Sequence, residues 1–281
     1  MSLSTVPIPT VPIPTVQEAD LRRLILETAA ACGESAHIGG SLSMVELLNV
    51  LFGRVLRHRP EQPDWLERDI FILSKGHSVL GYFAVLHSYG YFDRATLATF
   101  QTNGSALIAH PIKNIPLGIE SSNGSLGQGL SYGLGMALGM QKRGSDARVY
   151  VLMGDGECNE GSVWEAAALA GELGLSNLTA IVDQNGFRND GANTLYEAEK
   201  GPNLAKAWAA FGWDVHEVDG HDTAAIKAAF DLARSRTDQP SVLVAKTIKG
   251  KGISFMEANN DWHHNRITQK VFDDCQKELG V

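Results

Sequence analysis

Asp155, in Gly154-Asp155-Gly156, and Asn185 each follow an apolar, β-branched run, at the point where such a run would end. A carboxylate and a side-chain amide oxygen are hard donors, suited to a divalent cation that keeps room for phosphate oxygens. Alone, Gly-Asp-Gly also reads as a tight surface turn; the second oxygen donor at the matching position argues for a site. Four histidines stand in distinctive surroundings: His37 in Ala36-His-Ile-Gly-Gly-Ser, His77 in Leu73-Ser-Lys-Gly-His, His110 before Pro111, and His263 after Trp262. Imidazole donates or accepts protons near neutral pH, the range in which hydroxyl protons can be moved. A lone histidine is ordinarily structural, and His58, His87, His216 and His221, which lack such a setting, read that way. Glu160, at the start of an expected helix, would gain about 0.3–1 kcal/mol from the helix dipole.

The elements that must position these residues are legible in the spacing. Arg148-Val-Tyr-Val-Leu-Met153 predicts a buried strand, and residues 160–173 a helix with Val163, Ala167 and Ala170 on one face. Leu178-Thr-Ala-Ile-Val-Asp183 predicts a second strand. The two loops carrying Asp155 and Asn185 then leave the same carboxyl edge of a parallel sheet, where open α/β sheets hold ligands. Further strands are expected at 69–73, 213–218 and 241–246, alternating with helices at 16–31, 43–56, 78–89, 204–211 and 223–234. Ser43 followed by Glu46 predicts a capping box for the second of these helices. The alternation makes the chain a doubly wound, mostly parallel α/β sandwich. Residues 101–125, rich in Gly, Asn, Ser and Pro, predict a long ordered loop of the kind that carries function. The Gly- and Ala-rich stretch from Gly127 lets a helix approach another backbone closely, as in a buried helix pair or a subunit contact. Its glycine order does not fit a dinucleotide fingerprint.

At 281 residues the chain accommodates one large domain, residues 16–281, after an extended Pro-rich arm at 1–15. That arm reads as a tolerated terminal extension, or as an interaction arm. A formal charge of −8 without a basic stripe excludes nucleic acid and anionic membrane as expected partners. Cys32, Cys158 and Cys275 are odd in number and widely spaced, so neither a disulfide framework nor a CxxC metal site is expected. No apolar run nears the roughly 20 residues that cross a bilayer, and no signal-peptide pattern opens the chain. The expectation is a cytoplasmic enzyme.

Gly-Asp-Gly-Glu-Cys-Asn-Glu-Gly-Ser-Val-Trp-Glu-Ala-Ala (154–167), followed by Val182-Asp-Gln-Asn-Gly-Phe-Arg-Asn-Asp-Gly191, resembles the thiamine-diphosphate motif of transketolases. The resemblance runs from about Gln17 to about Arg266. It is closest to the amino-terminal, diphosphate-binding subunit of transketolases split into two polypeptides. It implies thiamine diphosphate with Mg²⁺ (or Ca²⁺ or Mn²⁺), the ion held by Asp155, Asn185 and the Phe187 carbonyl. Gly124, Leu126, Gly154 and Gly156 would contact the cofactor through backbone, Gly156 at the mouth of the following helix. The resemblance assigns His77 and His263 to the diphosphate or reacting oxygens, His37 and His110 to sugar hydroxyls, and Glu160 to an acidic relay at a subunit interface. Glu157 and Cys158 match no ligand position.

The implied activity is transfer of a two-carbon ketol unit from a ketose or ketose phosphate to an aldose. The glutamate that activates the aminopyrimidine ring has no counterpart here. A pyrimidine-binding partner subunit is therefore expected to supply it, in an α2β2 assembly. Two departures stand out: Asn189 where the family has an apolar residue, and His264 where it has glycine. Asn189 would either reshape the pocket or merely bond its own loop. The alternatives are the α subunit of a 2-oxoacid dehydrogenase, a deoxyxylulose-phosphate-synthase-like enzyme, or a non-catalytic cofactor-binding subunit.

Overall fold

Apolar residues on both faces of a strand demand cover on both faces, and that requirement organises the chain. The computed structural model describes residues 14–196 and 203–280, so most of the arm at 1–15 lies outside the described residues. The first elements are α1 (Glu18–Cys32), β1 (Ser35–Ala36), α2 (Ile38–Ser43) and α3 (Val45–Arg54). Next come β2 (Ile70–Leu73), α4 (Val79–Ser88), α5 (Arg94–Leu97), α6 (Gln128–Lys142), β3 (Val149–Gly154), α7 (Gly161–Glu172) and β4 (Leu178–Gln184). The remainder comprises β5 (Phe187–Arg188), β6 (Gly191–Ala192), α8 (Leu204–Ala210), β7 (Asp214–Asp219), α9 (Thr223–Ser235), β8 (Ser241–Lys246), β9 (Asn265–Arg266) and α10 (Gln269–Glu278).

Strands β2, β3, β4, β8 and β7 form one sheet in that order, every pairing parallel. Side chains alternate across it. Ile70, Ile72, Val149, Val151 and Val182 pack with the residues of α6, α7 and α8. Phe71, Leu73, Tyr150, Leu152 and Ile181 pack on the other face, against α1, α3, α4 and α9. The expected doubly wound arrangement is present, and Val163, Ala167 and Ala170 of α7 are fully buried. Register sets Gly154 directly beside Asp183, so the loops after β3 and β4 emerge side by side.

Three local expectations need correction. The capping box does not form: Ser43 ends α2, Met44 sits at the N-cap of α3, and no side chain caps it. The Ser43 hydroxyl instead donates to Asp183 Oδ2 at 2.6 Å, while Glu46 turns to Arg22 and His221. A cap is worth about 1 kcal/mol. Burying one leucine contributes about 1.5–3 kcal/mol, and α3 buries eight residues, among them Leu47, Leu48 and Leu51. Packing decides this helix. Secondly, a one-turn 3₁₀ helix, Glu157–Asn159, separates Gly156 from α7, so Gly156 does not stand at that helix's mouth. Thirdly, Gly129 and Gly133 of α6 approach Ser74 and the sheet rather than a second helix. A Cβ at Gly133 would lie 2.5 Å from Val151 Cγ2, and one at Gly129 2.3 Å from Ser74 Oγ, whereas Gly135 and Gly139 face open space.

The tightest approach in the helical layer is between α7 and the turn after α8, where a Cβ on Gly171 would lie 1.9 Å from the Phe211 carbonyl oxygen. Gly171→Ala is expected to destabilise the chain by about 1–3 kcal/mol through overpacking. Gly135→Ala, with open space around the new methyl, should stabilise it by about 0.5–1 kcal/mol. Denaturant unfolding of both variants checks the pair, and equal effects would refute this account of the packing.

Candidate functional site

The carboxyl edge of the sheet is built on a buried ion pair. Lys75, just after β2, and Asp183, near the end of β4, are both almost fully buried and in direct contact. Lys75 also donates to the Gly40 carbonyl at 2.8 Å. Asp183 accepts from Ser43, from Thr247 and, at 3.2 Å, from Asn185 Nδ2. Burial works against its ionisation, but Lys75 and the two hydroxyls hold its pKa below the ordinary carboxylate range. The amide of Asn185 is thus aimed by a fixed anion. Its oxygen accepts from Phe187 N–H at 3.1 Å and keeps a second lone pair.

Glu157 ties the same floor together. One carboxylate oxygen accepts from Ser74 Oγ at 2.5 Å and from Gly127 N–H at 2.8 Å, and the other accepts from Gly154 N–H at 3.2 Å. Three loops are joined by one buried side chain, whose pKa burial raises. No pattern in the residue order marks this role, since its partners come from three separate segments.

Above this floor lies a cleft of about 260 Å³. Every residue assigned to cofactor or metal by resemblance lines it: His77, Gly124, Leu126, Gly154, Asp155, Gly156, Asn185, Phe187 and His263. Asp155 is 2% exposed; one oxygen accepts from Asn193 Nδ2 at 3.0 Å. Its Oδ1 is buried without a hydrogen-bond partner among the described residues. Burial, with Asp183 nearby, raises its pKa to about 6, against the pull of Asn193. An orphaned buried carboxylate oxygen, beside an amide oxygen and a loop carbonyl, is an all-oxygen donor set that fits Mg²⁺ with phosphate. Among the described residues no group of three or more His, Cys, Asp and Glu can hold a metal by itself.

The histidines converge on His37. Its ring centroid lies 5.0 Å from His77, 5.4 Å from His263 and 6.1 Å from His110. The short ribbon of β1 with β9 pairs Ala36 with Asn265 and so brings His37 to the His263–His264 turn. His77 sits in a 3₁₀ turn whose Gly76 admits no side chain, since a Cβ there would lie 2.4 Å from the Asn123 carbonyl. Burial first, then neighbouring cations, keep these imidazoles neutral: His37 falls to about 3, His263 to about 4, and His77 well below its ordinary value.

Lys249 also lines the cleft, though nothing in its sequence setting marked it. Its ammonium donates to Asn260 Oδ1 at 2.8 Å and lies 2.6 Å from His263 Nδ1, which places the His263 proton on Nε2. Burial and Lys75 lower its pKa to about 8. Of the two departures, Asn189 lines the cleft and its carbonyl accepts from Asn260. His264 is exposed with its ring 4.5 Å from His37. Glu160 is exposed, lies against Gly127 and does not line the cleft. Of the four histidines expected to be structural, His58 and His87 bond to the Phe52 and Phe92 carbonyls, His221 bonds to Ile248 N–H and Glu46, and His216 lies beside Asp214.

Residues 16–281 match a family model described as transketolase, thiamine diphosphate binding domain. The chain is 39% identical over 261 residues to 6-deoxy-6-sulfo-D-fructose transketolase subunit SqwG of Clostridium sp. (strain MSTE9), covering 92% of this chain and 93% of that one. It is 38% identical over 247 residues to an apulose-4-phosphate transketolase subunit of Phocaeicola vulgatus, covering 88% and 87%. Transketolase from Campylobacter jejuni superposes with a TM-score of 0.85 at 29% identity, over 94% of this chain and 42% of that one. Fold, cleft and matches define the class, a thiamine-diphosphate-binding α/β domain. The chain belongs to the transketolase family and is a ketol-transferring enzyme subunit; the dehydrogenase, synthase-like and non-catalytic alternatives find no support in these matches. Among the described residues no helix is long and apolar enough to cross a membrane.

Asp155 yields a prediction about stability. With an ordinary pKa in the unfolded chain and about 6 in the folded one, its ionisation costs stability. The cost sets in as pH rises through the unfolded value and is complete above about 6. Asp155→Asn, which keeps the acceptor for Asn193, should stabilise the cofactor-free chain by about 1–3 kcal/mol near pH 7.5. The gain should shrink as pH falls from 6 toward 4. Urea denaturation across that range tests this, and a pH-independent gain would contradict it.

Proposed function

We propose that this chain is the diphosphate-binding half of a split transketolase, and that Asp155, Asn185 and the Phe187 carbonyl hold Mg²⁺ against the diphosphate of thiamine diphosphate. The orphaned, buried Oδ1 of Asp155, in the cleft that Asn185 and Phe187 also line, is the observation that carries this reading. Ca²⁺ or Mn²⁺ would suit the same oxygens. When bound, thiamine diphosphate supplies the carbon nucleophile and the electron sink for cleaving a bond beside a carbonyl. Lys249 and Lys75 place positive charge beside the cleft, where a multiply charged diphosphate leaving water needs it.

His37, His77, His110 and His263 provide proton transfer. A neutral imidazole offers one donor and one acceptor, so the group around His37 can pass protons to and from hydroxyl oxygens of a bound ketose or aldose. His263, its Nδ1 engaged by Lys249, presents Nε2–H as a donor. His264 and Asn189 would shape acceptor preference. The relatives bear the names of a sulfo-sugar and a sugar-phosphate transketolase, and we extend anionic sugar substrates to this chain. Both relatives are named as subunits; the partner proposed here is the pyrimidine-binding polypeptide, assembled as α2β2 with Glu160 at the contact between chains. A cytoplasmic setting belongs to the same proposal, since three widely spaced cysteines require no oxidising compartment.

Co-expression with a pyrimidine-binding half, followed by calorimetry with thiamine diphosphate and a ketol-transfer assay, tests the reading. Cofactor uptake should require Mg²⁺ and vanish with a chelator, and this chain without its partner should be inactive. His37→Ala should lower kcat/KM by about 10²–10⁴-fold with cofactor affinity nearly unchanged. Cofactor uptake without transfer would return the reading to a binding subunit, and release of CO₂ from a 2-oxoacid would reassign the reaction.

A further inference from the structure

Ile248 and Lys251 bracket Lys249, and each gives one backbone group to a side chain rising from beneath the loop. Ile248 N–H donates to His221 Nε2 at 2.9 Å. The imidazole proton is therefore on Nδ1, from which it reaches Glu46 Oε2 at 3.0 Å. The other Glu46 oxygen accepts from Arg22 Nη2 at 2.5 Å. Arg22 Nε donates in turn to the Lys251 carbonyl at 2.9 Å. The circuit closes on the loop it started from.

This geometry differs from an ordinary buried ion pair, because both of its arms end on the main chain of a single short loop. Glu46 lies on α3 and Arg22 on α1, so the anchor is two packed helices of the core. Side-chain exposure is 8% for Arg22, 7% for Glu46 and 14% for His221, so water competes poorly for these bonds. Space is equally constrained. A Cβ on Gly252 would lie 2.6 Å from Arg22 Cδ, and one on Gly39 would lie 2.9 Å from Lys249 Cγ. The opposite flank of the loop is held by Gly250 N–H donating to the Gly39 carbonyl at 3.0 Å.

We infer that Arg22, Glu46 and His221 are positioning residues that clamp the Ile248–Lys251 backbone so that the Lys249 ammonium meets His263 inside the cleft. The inference rests on the proposed function, in which Lys249 and His263 face the cofactor's diphosphate. Glu46 is the hub: removing its charge releases both arms at once. Loops that carry binding groups open easily unless tied to the core, and a displacement of about an ångström is enough to weaken a site of this kind.

Amide hydrogen exchange on the full cofactor-free chain reads the clamp directly. His221→Leu is expected to speed exchange at Ile248–Lys251 roughly tenfold, as befits the loss of a buried hydrogen bond, with α6 and α7 unchanged. His221→Gln keeps a donor for Glu46 and an acceptor for Ile248 N–H, and should stay within about threefold of the unmodified chain. In the complex with partner and Mg²⁺, His221→Leu should raise the thiamine diphosphate Kd about tenfold or more, and His221→Gln should restore it. Unchanged loop exchange in His221→Leu, a chain-wide rise in exchange, or failure of His221→Gln to rescue would each overturn the clamp. If His221→Leu does not fold, Glu46→Gln supports the same comparison at conserved volume. An unmodified complex that binds no thiamine diphosphate would sink the proposed function, while the exchange result would still decide whether the clamp exists.

Discussion

The contact between Lys75 and Asp183 is the constraint on which the rest of the site depends. Two opposite charges taken almost fully out of water bring little net stability, because desolvation offsets most of their attraction; breaking one partner away costs about 3–5 kcal/mol. Such a pair is better understood as a device for geometry. Asp183 spends its acceptor capacity on Lys75, Ser43, Thr247 and Asn185, which come from four different segments. Each of them carries or adjoins a wall of the cleft. The buried anion therefore fixes, in one place, the relative positions of the His77 turn, the end of α2 and the Asn185 loop.

Electrostatics around that floor separate two roles. Asp155 is a carboxylate short of partners, raised to about 6 by burial, and therefore costs stability in the absence of a cation. The imidazoles above it are kept uncharged by burial first, then by one another and by the lysines. An unsatisfied anion and a set of neutral imidazoles lie within one small cleft; the anion costs the folded chain stability above about pH 6, and the imidazoles cost it only where unfolded histidines would be protonated. Sites of this sort are held by the scaffold around them. Here the scaffold includes Glu157, joining three backbone segments from below.

The sheet was legible because β-branched and apolar runs on a two-sided parallel sheet leave a continuous signal, and Asp155 and Asn185 were legible because they stand where those runs stop. The histidines could be singled out by their local settings, yet their convergence on His37 could not, since it depends on the pairing of Ala36 with Asn265. Lys75 and Asp183 lie inside quoted motifs without a sign of their contact, which joins the loop after β2 to the end of β4. Glu157 matches no ligand position, and its partners are backbone amides and a hydroxyl that no spacing announces. The capping box failed for a related reason. Ser43 and Glu46 have the right spacing, but tertiary partners offer each of them more than the helix end does. In α6 the close approach expected of the glycines holds at Gly129 and Gly133 and not at Gly135 and Gly139, and the surface approached, the side chains of β3 and Ser74, was visible only in three dimensions.

The β1–β9 ribbon joins residues far apart in the described chain and helps to bring His37 and His263 together. During ribosomal synthesis the early helices and the first strands can settle well before residues 260–266 emerge. Until those residues arrive, the His37 turn lacks its facing wall, and the nascent domain exposes a half-built pocket edge. Late closure of this kind makes the interval before residues 260–266 emerge the one most open to misassembly or chaperone capture.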